Sequence, residues 1–473
     1  MPVEDGHDEG LSTNRRSQFN KTNWLNKKEG GSGIMVFLFL SIATAALAGL
    51  LFGFDTAVIA GVTGDLRMVM GLSPGAVGVT VSSALVGTCI GALGAGRPGD
   101  RYGSRDCLRV MALLYLVSGV GSACAWNWPS LVFFRFIGGL GIGGSSVLAP
   151  VYIAEIAPPR RRGALVGLFQ LNIVLGILVA YLSNYAVGGL GLGDAEWRWK
   201  LAVTALPSAV FLALLAFIPH SPRWLATKGR VEAAAAVLRR MGMAGVDAAA
   251  QALASARREG ARREEEGRLS WRRHRRPILL AVSLALFNQF SGINAILYYL
   301  NDIFTAAGFG KVSADLQSVA VGATNLLFTG VAMTVIDRAG RKTLLLIGAV
   351  GMTASLAPAA LILSGVGGGA YLIWALLGFI ASFAFSQGAV IWVYIAEIFP
   401  TAVRARGQSL GSATHWLANA FLSGVFPLVA TYSKGAPFFL FAAMMAVQFV
   451  VVLLFFPETK RVSLEEMAER LET

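Results

Sequence analysis

Charge is scarce in this sequence. Asp, Glu, Lys and Arg make up 14% of its 473 residues, against about 25% in soluble domains. Residues 35–51 contain none at all. So thin a supply of charge excludes a row of soluble domains, each of which must cover its surface with polar groups. Cysteine is scarce too. Cys89, Cys107 and Cys124 stand in or beside apolar stretches without ligand spacing, which excludes a disulfide framework and leaves them as small buried hydrophobes. With four histidines and no clustered ligands, a metal site is not expected. Neither a Ser/His/Asp set nor a phosphate-cradling loop is visible, so the chain does not read as an enzyme and no cofactor is expected.

What replaces charge is hydrocarbon. Hydrophobic residues reach 55% and gather in runs of about 20, the length that crosses a ~30 Å bilayer core. Twelve such runs lie near residues 34–60, 76–97, 107–127, 130–156, 163–186, 200–218, 277–305, 315–336, 342–364, 369–397, 407–430 and 435–456. Backbone polar groups find no water at that depth, so each run must be a helix. The expected fold is an all-α polytopic membrane protein. Its organisation is a polar tail (1–33), a six-helix bundle (34–218), a linker with short helices (219–276), a second bundle (277–456) and a tail (457–473).

The two bundles share landmarks. The hexapeptide VYIAEI occurs at residues 151–156 and again at 393–398. DRYGSR at 100–105 is echoed by DRAGRK at 337–342, and Pro219-His220-Ser221 by Pro457-Glu458-Thr459, in the same order. That is the mark of a duplicated unit. Acidic and basic residues recur at matching helix ends: Asp100, Arg101, Arg105, Glu155 and Arg162 in the first half, Asp337, Arg338, Arg341, Glu397 and Arg404 in the second. Exposed pairs contribute only about 0–1 kcal/mol each, but a desolvated set contributes more. Such a set is expected to latch the helix ends together when that side is shut.

The net charge of +13 is placed by orientation. Between Arg223 and Arg276 stand 14 basic and six acidic residues, and the first 33 residues add Arg15, Arg16, Lys21, Lys27 and Lys28. An even number of spans puts linker and both termini on one side, and Lys/Arg enrichment assigns that side to the cytoplasm. Lipid bilayer is the expected surrounding partner; nucleic acid is not, because no aromatic-interleaved basic fold accompanies the charge. The first 33 residues do not read as a cleavable signal.

DRYGSR, DRAGRK, SPRWL (221–225), NQFSGINAILYY (288–299) and PETK (457–460), in this order, resemble the signatures of the sugar porter family of the major facilitator superfamily. The pattern is most similar to bacterial monosaccharide–proton symporters. The resemblance implies two six-helix bundles, a central sugar site, alternating access and a monomeric functional unit in the cytoplasmic membrane. The substrates it implies are a hexose or pentose and a proton. An uncoupled facilitator is the alternative, and a transporter-like sugar sensor a remote one.

Two charged residues stand out within the spans: Asp55 in the first and Arg135 in the fourth. Helical rise places both in the outer half of the bilayer, where a buried charge is costly and finds a partner. An acid there binds or releases a proton as the guanidinium withdraws or approaches, and the resemblance implies that role for this pair. A sugar pocket needs amides, which donate and accept together, and aromatic faces. The candidate amides in the spans are Gln170, Asn288, Gln289, Asn294, Asn325 and Asn419, with Gly292 a point of local unwinding between Gln289 and Asn294. Trp392 and Trp416 offer ring faces and an indole donor, and Phe52, Tyr298 and Phe383 complete the wall. The family pattern implies sugar contact for Gln170, Gln289, Asn294, Asn325, Trp392 and Trp416. The chain departs from that pattern at Asn288, at His415 (an amide in the family), at Thr204 (a second acid in some symporters) and at His220 (a Glu).

Overall fold

The computed structural model describes residues 36–157, 162–241, 269–400, 403–460 and 464–472, with residues 246, 249 and 462 between them. The N-terminal tail, most of the basic linker and the side chain of Arg162 lie outside the described residues. Within them the regular structure is helical. Ten helices are long and apolar enough to cross a membrane. They are α1 (Val36–Gly61), α2 (Pro74–Gly94), α3 (Ser104–Ala123), α4 (Trp128–Ile156), α5 (Leu165–Gly188), α7 (Trp271–Tyr298), α8 (Lys311–Ala339), α9 (Arg341–Leu363), α10 (Gly369–Ile398) and α12 (Ala436–Phe455).

Two further spans complete the twelve. α6 is broken into Glu196–Ala202 and Ala205–Leu214, so neither piece is long enough alone. α11 (Arg404–Tyr432) has the length but holds Thr414, His415, Asn419 and Ser423 in its interior, and these polar residues lower its hydropathy. Pro222–Thr227 and Val231–Arg240 form short helices in the linker, and Leu464–Glu472 follows α12.

Local sequence explains the helix starts. Asn127 caps α4: its Oδ1 accepts from the Ser130 N–H at 2.9 Å, while Ser130 Oγ accepts from the Asn127 N–H at 3.2 Å. Reciprocal pairing of this kind satisfies two N–H groups that have no helical partner. Pro129 follows at a position where a missing N–H costs nothing. Ser73 caps α2 through the Ala76 N–H at 3.2 Å, with Pro74 next to it.

Glycine sets how closely helices pack. A Cβ on Gly139 would stand 2.0 Å from the Ala84 oxygen, and one on Gly87 2.3 Å from the Phe136 oxygen. α2 and α4 therefore meet backbone to backbone, as small residues in membrane helices allow. Gly94, on the same stripe, faces open space.

The apolar packing is not symmetric between the two sides. Away from the linker, one cluster of buried residues draws on both halves, joining Phe54, Val58, Tyr181 and Trp197 to Leu297, Tyr299, Phe304 and Phe426. Toward the linker there are two clusters, one from the first half (Ile42, Tyr152, Phe169, Ile218) and one from the second (Leu284, Leu344, Tyr394, Phe456). The halves are packed together at the far side and divided at the linker side.

A buried acid–guanidinium pair beside an amide and aromatic cleft

Asp55 on α1 and Arg135 on α4 meet. Arg135 Nη1 donates to Asp55 Oδ1 at 3.0 Å, and the residues are 4% and 3% exposed. Asp55 Oδ2 and Arg135 Nε are buried with no hydrogen-bond partner. Each group thus keeps hydrogen-bonding capacity that the pair itself does not use, which in a buried site is costly unless water or a proton fills it. The pair lines a cavity of about 10 Å³ with Phe52, Thr56, Thr88, Tyr298 and Trp416, the room one water needs. Phe52 and Asp55 come from the first half, Tyr298 and Trp416 from the second.

The amides gather around the break in α7. Gly292 has φ +82°, and a Cβ there would stand 2.1 Å from the Phe441 ring, so only glycine suits the position. The break brings Asn294 Nδ2 to Gln289 Oε1 at 3.0 Å. Gln289 Nε2 in turn donates to Asn288 Oδ1 at 3.0 Å and lies 3.1 Å from the His415 ring nitrogens. His415 sits between two indoles, its ring centre 5.0 Å from those of both Trp392 and Trp416. Phe52 reaches Trp416 across the two halves at 5.6 Å. Asn419 Nδ2 donates to Tyr298 Oη at 3.2 Å and Ser423 Oγ to Asn419 Oδ1 at 3.0 Å.

Gln170 lies half-buried on α5 and Asn325 buried on α8, two helices that pack against each other where Gly322 meets Leu178 and Tyr181. Phe383 is half-buried on α10, packed on Phe379.

The residues at the linker-side helix ends form repeated arrangements. Tyr152 Oη donates to the Pro219 oxygen at 2.8 Å, and Tyr394 Oη to the Pro457 oxygen at 3.1 Å, so the two hexapeptides dock on the two matching proline motifs. In the second half Arg341 Nη2 pairs with Glu397 at 2.9 Å and Asp337 at 3.1 Å, while Glu458 accepts from the Arg341 and Lys342 N–H groups at 2.9 and 3.1 Å. Arg338 is exposed, its backbone oxygen accepting from Lys460. In the first half Arg105 pairs with Asp106 at 3.0 Å and lies 2.7 Å from His220 Nε2. His220 stacks on Trp224 with ring centres 4.7 Å apart, and Trp224 Nε1 donates to the Asp100 oxygen at 3.1 Å. Arg101 is exposed over the Tyr102 ring. Glu155 ends α4 and Arg404 opens α11, both half-buried. Burial holds His220 below the ordinary histidine value, and the Arg105, Arg109 and Arg230 charges add to that against the opposing Asp106.

Asp55 and Arg135 are not the only charges buried in the spans. Lys200 on α6 is 0% exposed and Asp315 on α8 is 1% exposed, with their charged groups 3.6 Å apart. Both stand near span ends, where a charge passes for an interfacial residue in sequence. The signal that could have singled out Lys200 is Glu196 one turn before it on the same face. Gln387 and Gln448, fully buried and bonded to each other between α10 and α12, were likewise missed.

Comparisons with known proteins bear on the family and the fold. The family model described as "Sugar (and other) transporter" matches residues 41–471. The D-xylose-proton symporter of Escherichia coli strain K12 is 37% identical, over 91% of this chain and 95% of that protein. The arabinose-proton symporter of Bacillus subtilis strain 168 is also 37% identical, over 92% and 95%. The partially occluded, inward-open structure of the E. coli xylose transporter superposes with a TM-score of 0.81 at 34% identity, covering 90% of this chain and all of that one. The chain is a multi-pass membrane protein with the twelve-helix major facilitator fold, and it belongs to the sugar transporter family.

Proposed function

We propose that the protein imports a monosaccharide together with a proton across the cytoplasmic membrane by alternating access, with both termini and the linker in the cytoplasm. The observation that carries this reading is the Asp55–Arg135 pair, buried in the spans and lining one cavity with Phe52, Tyr298 and Trp416. Two relatives named for proton symport of xylose and arabinose support it. Lys/Arg enrichment in the linker supports the orientation.

The geometry suits a coupled cycle. Sugar hydroxyls would take the donors and acceptors that Asn288, Gln289, Asn294 and His415 now exchange among themselves and that Asn419 gives to Tyr298 and Ser423, joined by Gln170 and Asn325. Trp392, Trp416, Phe52, Tyr298 and Phe383 would pack on its C–H faces. Arg135 keeps its charge. Asp55 would take up the proton when the helices shift and its contact with Arg135 loosens, and give it up when the contact re-forms. Sugar-driven rearrangement and protonation then favour the same conformational step. Arg341 with Glu397 and Asp337, and Arg105 with Asp106 and His220, each pair inside one half while the linker side is divided. They therefore brace the helix ends of each bundle and are not the latch, expected from sequence, that parts when this side opens.

The test is uptake of a monosaccharide panel into proteoliposomes, with and without an imposed pH gradient. A pH gradient should drive accumulation above the outside concentration. Asp55→Asn should lose that uphill accumulation and retain sugar exchange. Uphill uptake unchanged in Asp55→Asn sinks the carrier role, and uptake indifferent to the gradient in the parent protein indicates plain facilitation instead.

A further inference from the structure

The far side of the molecule, opposite the linker, carries a set of charges that the transport reading does not use. Arg67 of the short helix Thr63–Met70 pairs with Asp302 at 3.2 Å. Lys311 Nζ lies 2.6 Å from Asp65 and 3.1 Å from Glu196. Lys200 Nζ lies 2.8 Å from Glu196 and 3.6 Å from Asp315. Asp65, Arg67, Glu196 and Lys200 belong to the first half; Asp302, Lys311 and Asp315 belong to the second. Four of these five pairs therefore cross between the halves, where the shared apolar cluster also joins them.

Their burial separates them. Arg67 and Lys311 are about a third to a half exposed (37% and 48%), so water and salt weaken their pairs. Lys200 and Asp315 have side chains 0% and 2% exposed, and their attraction is screened much less. The structure makes room for the contact: a Cβ on Gly188, at the end of α5, would stand 2.9 Å from Asp315 Oδ2.

We propose that Lys200 and Asp315 form the central pair of an ionic lock that closes the outer mouth of the transporter and breaks each time the outward-open state forms. A buried ion pair that left its partners stranded on separation would be a permanent strut. Here each charge has a second partner in its own half. Lys200 keeps Glu196 and donates to the Gly61 oxygen at 2.9 Å. Asp315 accepts from Asn301, itself held by Ser318 Oγ at 2.7 Å. Opening thus exposes neither group without a ligand, and the pair re-forms when the halves return. Lys311, exposed already, passes to water. The lock holds the form in which the linker side is divided, and so sets how much of the protein rests there. This inference depends on the two halves alternating, as the transport reading requires.

The experiment measures a distance rather than uptake. Spin labels on Met68→Cys and Val312→Cys, two exposed positions on either half of the outer mouth, are read by pulsed dipolar spectroscopy. The background has Cys89, Cys107 and Cys124 replaced by serine, and the protein is full length in lipid. The parent should show mainly the short separation. Lys200→Met with Asp315→Leu, which removes both charges and keeps apolar bulk, should shift the distribution to longer separations. Asp315→Asn alone, which keeps the shape and leaves Lys200 its first-half partners, should shift it in the same direction; it decides the matter if the double variant does not fold. A distribution unchanged from the parent in these variants overturns the lock. Neither sugar nor a proton gradient enters the measurement, so failed uptake with shifted distances counts against the transport reading and not against the lock.

Discussion

At the scale of single residues, chemistry here is decided by what surrounds a charge. Asp55 and Arg135 pair at 3.0 Å with almost no exposure, and each retains one buried atom without a partner. Arg135→Ala would leave Asp55 a lone buried carboxylate, which costs about 3–5 kcal/mol when it stays charged. His220 shows the opposite situation at the linker side. Its folded-state value lies below the ordinary one because of burial and the Arg105, Arg109 and Arg230 charges. The unfolded chain therefore binds more protons than the folded one in the window from the ordinary value down to the lowered one. Stability must fall as pH drops through that window. Thermal unfolding in detergent should show a loss as pH falls below the ordinary histidine value of about 6.5 that is smaller in His220→Gln; an equal loss in both proteins would place the effect elsewhere.

At the scale of elements, glycine spacing does what polar patterning does in a soluble helix bundle. Lipid tails are as apolar as leucine, so close backbone approach takes over much of the helix–helix attraction. Gly139 and Gly143 meet carbonyls of α2 within about the same short distance, 2.0 Å from a built Cβ in both cases. Gly139→Val should separate α2 from α4 and destabilise the first half by about 1–3 kcal/mol or more. The same change at Gly94, which faces open space, should be tolerated. Comparing the melting temperatures of the two variants checks this. The break at Gly292 serves another purpose, turning Asn294 back toward Gln289 so that two residues five apart share one hydrogen bond.

At the scale of the whole molecule, the one shared cluster and the two separate ones define a body closed on one side and divided on the other. Trp392 is 36% exposed despite its place within α10, and the divided side is the expected route to it. A cysteine in its place, in a background without Cys89, Cys107 and Cys124, should react much faster with an impermeant maleimide added from the linker side than from the other. Equal reactivity from both sides contradicts the asymmetry. Addition of a transported sugar should slow the reaction.

The reach of sequence reading follows from these scales. Hydrophobic run length alone determined that the chain is a membrane protein, because twenty apolar residues have few other fates, and the twice-written VYIAEI determined that it has two related halves. Asp55 and Arg135 were legible because a charge in mid-span has no bland explanation. Asn288, Gln289, Asn294 and His415 were legible as residue types, but which of them touch was decided only by the αL turn at Gly292 and the packing of α11 on α7. Lys200 and Asp315 escaped notice since a charge at a span end usually faces water. Only the packing of α8 on α5, with α6 alongside at Gly188, buried them, and burial is a property of the partner surface, not of the residue that it covers.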